Sequence, residues 1–203
     1  MKAIKFLMVS LVVVFVVSLI PGQVLLAQQQ SQSEQEQKMM KLWMENATPG
    51  ENHKYFEYFT GDWEVTATMW MAPGAAPEVA KGDCKSEIIL GGRFLKSYST
   101  GSMMGMPYEG LSITAYDNFK KEFVTIWIDN AGTGIYQTSG TLDKATKTRT
   151  ETGLWDDIMT GGKFKVRLTV KVIDDGKYIF EMYSTNPEGK EFKSGEIVYI
   201  RKK

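Results

Sequence analysis

From Gly61 onward the chain runs in short stretches of alternating apolar and polar residues, each stopped by turn-forming residues, with no helix-length segment between them. The clearest stretch sets Phe164, Val166, Leu168, Val170 and Val172 against Lys165, Arg167, Thr169 and Lys171. That is the period-two pattern of a strand with one dry face and one wet face. Tyr178, Phe180 and Met182 repeat it after Asp174-Asp175-Gly176. The breaks at Gly91-Gly92, Asp117-Asn118, Asp129-Asn130 and Asn186-Pro187-Glu188-Gly189 carry residues that favour tight turns. The pattern predicts ten strands, at about 62–71, 78–89, 93–100, 107–115, 121–128, 133–142, 146–155, 163–173, 177–184 and 191–200. Loops this short make neighbours pair antiparallel, and the lack of crossover helices excludes a parallel βαβ sheet.

A flat meander of this length would leave two long edges exposed, and closure removes them. The reading is therefore an all-β protein, a ten-stranded antiparallel up-and-down β-barrel over residues 61–203. Gly110, Gly134, Gly140 and Gly195 fall inside predicted strands and suit the bends of a closing sheet. A two-sheet sandwich is the alternative, but the long crossovers it uses are not visible. Some strands are apolar on both faces: Phe123, Thr125 and Trp127 alternate with Val124, Ile126 and Ile128. One of those faces needs a cover outside the barrel, from a capping helix or a second copy of the chain, so a homodimer enters as an expectation.

The segment before the strands divides in three. Lys2 and Lys5 precede an apolar run from Phe6 to Ile20, then Pro21-Gly22 and a small residue at Ala27. Residues 1–27 thus read as a secretory signal peptide. The run is shorter than the roughly 20 apolar residues of a spanning helix. Export to the periplasm or beyond is expected, with no membrane span in the mature chain. Residues 28–38 contain no apolar residue and read as a polar, disordered lead. Residues 39–60 read as one or two short capping helices. Met40, Trp43, Met44 and Ala47 recur at helical spacing, and Thr48-Pro49-Gly50-Glu51 resembles a capping box before a helix carrying Tyr55, Phe56 and Phe59.

Composition narrows the chemistry. Lys plus Arg total 24 and Asp plus Glu total 24, so no basic field awaits a nucleic acid. One Cys and one His exclude a disulfide framework within the chain, a cysteine zinc module and a multi-histidine metal site. Cys84 reads as a small buried hydrophobe. His53 reads as a packed or hydrogen-bonded side chain at the helix–barrel junction rather than a ligand or proton carrier. Met103, Met104 and Met106 lack a His or Cys beside them, so they read as an apolar loop at the barrel mouth rather than a Cu(I) site. Asp156-Asp157 and Asp174-Asp175-Gly176 lack the alternating oxygens of a calcium loop and read as turns. No metal or cofactor is expected, and no linear motif of a known catalytic class is present.

The blocks Thr48-Pro49-Gly50-Glu51-Asn52-His53-Lys54, Gly61-Asp62-Trp63, Leu90-Gly91-Gly92-Arg93-Phe94-Leu95, Met103 through Gly110, Tyr116-Asp117-Asn118, Trp127-Ile128-Asp129 and Phe180-Glu181-Met182-Tyr183 occur in this order. With them, the stretch from Met39 to Arg201 resembles the domain of unknown function family 1579. The resemblance implies a calycin-like or lipocalin-like barrel and no known reaction. The nitrobindin group, a relative of that architecture, holds haem through a His near its C-terminal strands. This sequence has no His after His53, so haem ligation of that type is not implied.

A barrel of this size can hold one small ligand. The expectation is an exported protein binding a small apolar or amphipathic molecule, with Trp127, Tyr136 and Tyr178 in the wall. Glu109 shares a face with Leu111, Ile113 and Ala115, and Arg93 shares one with Leu95, so these two read as paired polar anchors on adjacent strands. The alternatives are a carboxylate-based hydrolase or isomerase in the same cavity, and a structural or interaction protein with a filled core.

Overall fold

The computed structural model describes residues 29–157 and 160–203, and the signal peptide read at 1–27 lies outside the described residues. Residues 29–47 form one helix, α1. It takes in most of the polar segment that composition alone would leave irregular, because Gln, Glu and Lys are all good helix formers without any apolar stripe. Met40, Trp43 and Met44 on α1 are exposed. The chain divides after Ala47, and the barrel unit runs from Thr48 to Lys203. Among the described residues no helix is long and apolar enough to cross a membrane.

The barrel unit opens with α2, Glu51–Lys54, which tightens into a 3-10 turn over Tyr55–Phe59. Of the one or two capping helices expected, this is the one that the barrel unit holds. Ten strands follow: β1 (Gly61–Met69), β2 (Glu78–Ile89), β3 (Phe94–Met103), β4 (Met106–Asp117), β5 (Glu122–Asp129), β6 (Tyr136–Asp143), β7 (Thr148–Asp156), β8 (Lys163–Asp174), β9 (Lys177–Thr185) and β10 (Glu191–Arg201). Each pairs antiparallel with its sequence neighbours, and β1 pairs with β10 to close the barrel. The up-and-down closed barrel is the predicted architecture, and the sandwich is excluded.

Closure assigns the faces. Across β4 to β6, Thr114 pairs Thr125, which pairs Thr138, and this column faces inward. Phe123 and Trp127 share it, whereas Val124, Ile126 and Ile128 face outward. At the α2 end the lumen is filled: Phe56 and Phe59 pack against Trp63, Phe123 and Tyr178. The Trp63 Nε1–H donates to the Phe59 carbonyl at 2.8 Å. The Arg201 guanidinium lies 4.1 Å from the Trp63 ring centroid and donates to the Thr60 carbonyl at 2.7 Å and to the Tyr58 carbonyl. The last strand thereby clamps the cap onto the first.

Two local expectations are corrected. The helix N-cap is Gly50, not Thr48, and the residue that reaches back is His53, not Glu51. The Gly50 N–H donates to His53 Nδ1 at 3.0 Å, while Glu51 pairs with Lys54 at 2.7 Å. Asn118 Nδ2 donates to the Thr48 carbonyl at 2.8 Å and holds that residue outside the helix. The glycines expected at bends mostly serve close approach instead. A Cβ on Gly140 would fall 1.9 Å from the Thr150 carbonyl oxygen, so only glycine lets β6 and β7 meet there. Gly134 lies in the loop before β6.

His53 is buried, with its ring edge against Phe56 and Tyr116. Burial holds its imidazole below the ordinary value of 6.5, although hydrogen bonding to the Tyr116 backbone acts the other way. The unfolded chain therefore binds this proton more readily than the folded one, so the stability is present above the unfolded pKa and lost as pH falls through the folded pKa. Urea unfolding measured from pH 8 down to pH 5 should show stability falling below about 6.5. In His53→Asn, which keeps an acceptor for the Gly50 N–H, that step should flatten.

Candidate functional site

The inward faces form a lumen with two different halves. Below, under the cap, Trp63, Leu95, Phe123, Val170 and Tyr178 are buried. Interleaved with them is a polar belt, with Ser86, Thr114, Thr138, Arg149 and Glu151 also buried and Arg149 directly across from Val170. Toward the other end, Ala67, Ser99, Ser112, Trp127, Tyr136 and Ile197 stay partly accessible. The lumen thus closes at the helical cap and opens among the opposite loops.

The belt centres on β7, where Arg149 and Glu151 are two apart and share the inward face. Glu151 Oε1 accepts from Thr125 Oγ1 at 3.0 Å and Oε2 accepts from Thr138 Oγ1 at 2.7 Å. Thr114 and Thr125 hydroxyls meet at 3.1 Å and extend the chain of bonds. Arg149 Nε lies 3.1 Å from Glu151 Oε1 but without the alignment of a hydrogen bond, so their attraction is Coulombic. The guanidinium carbon sits 5.5 Å from the Phe123 ring centroid and 6.0 Å from that of Tyr55. The Tyr55 hydroxyl is buried without a hydrogen-bond partner among the described residues. Its phenol is pushed up to about 12, chiefly by burial, with the Arg149 charge pulling the other way.

Nearer the open end, Asp129 Oδ2 accepts from Trp127 Nε1–H at 2.8 Å and from the Tyr108 hydroxyl at 2.9 Å. Burial and the bond to Asp129 both hold the Tyr108 phenol well above its ordinary range. Tyr136 and Trp155 rings approach to 4.8 Å between centroids. Trp155 Nε1 is buried and, like the Tyr55 hydroxyl, unpartnered among the described residues.

Trp127 and Tyr136 pair directly across β5 and β6, so two of the expected wall residues stand together in the accessible half. Tyr178 also points inward but belongs to the sealed half, stacked on Tyr199 at 4.2 Å. Arg93 and Glu109 are corrected as lumen anchors. Glu109 is exposed on the outer face and accepts from the Tyr98 hydroxyl at 2.6 Å. The apolar set it shares, Leu111, Ile113 and Ala115, is the outward one on β4. Arg93 precedes β3 and donates to the carbonyls of its own turn, Leu90 at 3.1 Å and Gly91 at 3.3 Å. The two do not pair with each other. The residues missed from sequence were Arg149 and Glu151, whose signal was a strand with Thr148, Thr150 and Thr152 on one face and Arg149 and Glu151 on the other, where an apolar face was due.

Cys84 is buried, and burial pushes its thiol up, as suits a small core residue. Met103, Met104 and Met106 are exposed at the β3–β4 turn on the open rim. Asp174 Oδ1 accepts from Gly176 N–H at 2.8 Å, a turn contact. Among the described residues no group of three or more His, Cys, Asp or Glu could hold a metal ion.

Trp127 lies against Gly110 on β4, where an added Cβ would fall 2.1 Å from the indole Cζ2. Gly110→Ala must displace that ring. The expected outcome is a loss of about 1–3 kcal/mol in urea unfolding, together with a changed tryptophan emission maximum.

A comparison with curated proteins finds no match. Among solved structures, the S-type phycobiliprotein lyase of Guillardia theta superposes with a TM-score of 0.55 at 10% identity, covering 79% of this chain and 96% of that one. A de novo designed fluorescence-activating β-barrel matches at a TM-score of 0.41 and 13% identity, over 72% of this chain and 95% of its own. At 10% identity the likeness to the lyase is one of fold. A family model does match, over residues 48–201, which takes in the cap, all ten strands and the whole lumen. The chain belongs to the family described as "Protein of unknown function (DUF1579)".

Proposed function

We propose that the protein is exported and holds a small, largely apolar molecule in the open half of its barrel. The observation that carries this reading is the change in burial along the lumen. Phe56, Phe59, Trp63, Phe123 and Tyr178 at the cap end are buried, whereas Trp127, Tyr136, Ala67 and Ile197 toward the other end keep accessible surface although they point inside, with Val166 and Ser194 buried among them. Aromatic rings with a few polar groups are the usual lining of a small-molecule site. Export rests on the charged start and apolar run within residues 1–27.

Binding is favoured over carboxylate catalysis by how the inward acids are used. Glu151 is engaged by two threonine hydroxyls and faces Arg149. Asp129 accepts from Trp127, Tyr108 and the Ala131 N–H. A general acid or base needs a lone pair or proton directed at substrate, and both carboxylates already accept from the protein's own donors.

Ala67→Trp places a large side chain in the open half from a small residue on β1. It should weaken uptake of the neutral apolar dye N-phenyl-1-naphthylamine by on the order of tenfold or more, with an unchanged far-ultraviolet dichroism spectrum. Native mass spectrometry of protein from its own host should show a retained molecule that this variant lacks. A barrel that takes up no dye and carries no small molecule would overturn the reading.

The outer faces of β4 and β5 favour a homodimer as a further part of the proposal. Leu111, Ile113, Val124 and Ile126 form an apolar area on the barrel exterior, and Ile128 beside them is 39% exposed. Light scattering at micromolar concentration should give twice the chain mass, and Ile126→Lys should return it to one.

A further inference from the structure

The lumen contains more hydrogen-bond donors than its own acceptors satisfy. Among the described residues, the buried side-chain atoms left without a hydrogen bond are the Tyr55 hydroxyl, Arg149 Nε and Trp155 Nε1. Each carries a hydrogen to donate, and Arg149 and Trp155 carry no acceptor at all. Arg149 is 7% exposed, and its Nε makes no hydrogen bond among the described residues. Its one close counter-charge is Glu151, at Nε. Leaving buried donors unmade costs about 1–3 kcal/mol each, more for a charged group. Arg149 on the inward face with the Tyr55 ring of the cap 6.0 Å away, and Trp155 farther along β7, are therefore donors prepared for acceptors.

The charges say which acceptors. On the strands above the cap, the inward ionisable groups are Arg149, Glu151 and Asp129. Arg149 is already balanced by Glu151, and Asp129 adds a second carboxylate toward the rim. An anionic ligand would raise an existing excess of negative charge in a poorly solvated space, which is costly. A neutral carbonyl oxygen accepts the same hydrogen bonds and adds no charge.

Resting on the ligand-binding reading above, we infer that the lumen selects a neutral apolar molecule bearing a carbonyl group, whose oxygen is held by the Arg149 guanidinium and the Tyr55 hydroxyl. The apolar body lies toward Trp127 and Tyr136. Trp155 Nε1–H is a further donor on that side, so a molecule with a second carbonyl, as in a quinone or diketone, meets donors on both halves.

Three probes of one shape test this on the full chain by quenching of tryptophan emission: 2-acetylnaphthalene, 2-ethylnaphthalene and 2-naphthoate. The ketone should bind at least about tenfold more tightly than the hydrocarbon or the carboxylate. Tyr55→Phe, which removes a hydroxyl that has no hydrogen-bond partner among the described residues, should reduce that preference several-fold and leave the hydrocarbon unchanged. Arg149→Lys should reduce it further. The infrared carbonyl stretch of the bound ketone should lie at lower frequency in the parent protein than in Tyr55→Phe. Equal binding of ketone and hydrocarbon overturns the carbonyl anchor while the ligand-binding reading stands. Tightest binding of 2-naphthoate overturns it in favour of an anion site. Failure of all three to bind removes both readings together.

Discussion

Pairing of β1 with β10 is the constraint on which the rest of this structure depends. It leaves no strand with a free edge, and it fixes which residue of each pair looks inward. In an open meander the strands could slip past one another, and a slip of one residue exchanges the two faces. On β5 such a slip would set Ile126 and Ile128 inside and put Trp127 on the surface. A closed ring resists it because every register is held from both sides. The cap completes the argument at one end only. Phe56 and Phe59 occupy the space that the ring leaves there, and Arg201 fastens that end by its bonds to Tyr58 and Thr60. The asymmetry of the lumen follows directly.

The polar belt is harder to account for on stability alone. Removing two charges from water costs several kcal/mol per ion. The Arg149–Glu151 attraction and the two threonine bonds offset part of this. Apolar residues of similar size at these positions would often be no less stable. The pair has nevertheless been placed inside the barrel, with Arg149 against Tyr55 and Phe123. Its carboxylate accepts two hydrogen bonds and its guanidinium Nε makes none, and this inequality distinguishes a polar site from a polar patch in a core.

The strands were legible in the sequence because their turns and their alternation agree. β8 and β9 show this best, with Val166, Leu168, Val170 and Phe180 inward and Lys165 and Lys171 outward. The faces of β4 and β5 were not legible, since both are apolar, and only the closed register separates Trp127 from Ile126. Glu109 misled for the same reason: its companions are apolar, yet they form the outside of the barrel. Arg149 and Glu151 went unread because a strand rich in threonine resembles an exposed one. His53 was read correctly as a junction residue, but its bond to the Gly50 N–H required the three-dimensional turn that Asn118 helps to fix.

The Arg201 clamp joins groups 141 positions apart in the sequence. A chain emerging from the ribosome must therefore hold its first strand half-paired until nearly every other strand has been made. Contacts of such long sequence separation form slowly. For much of its synthesis the molecule is a string of hairpins with its greasy interior unshielded, the kind of species that aggregates before it can close.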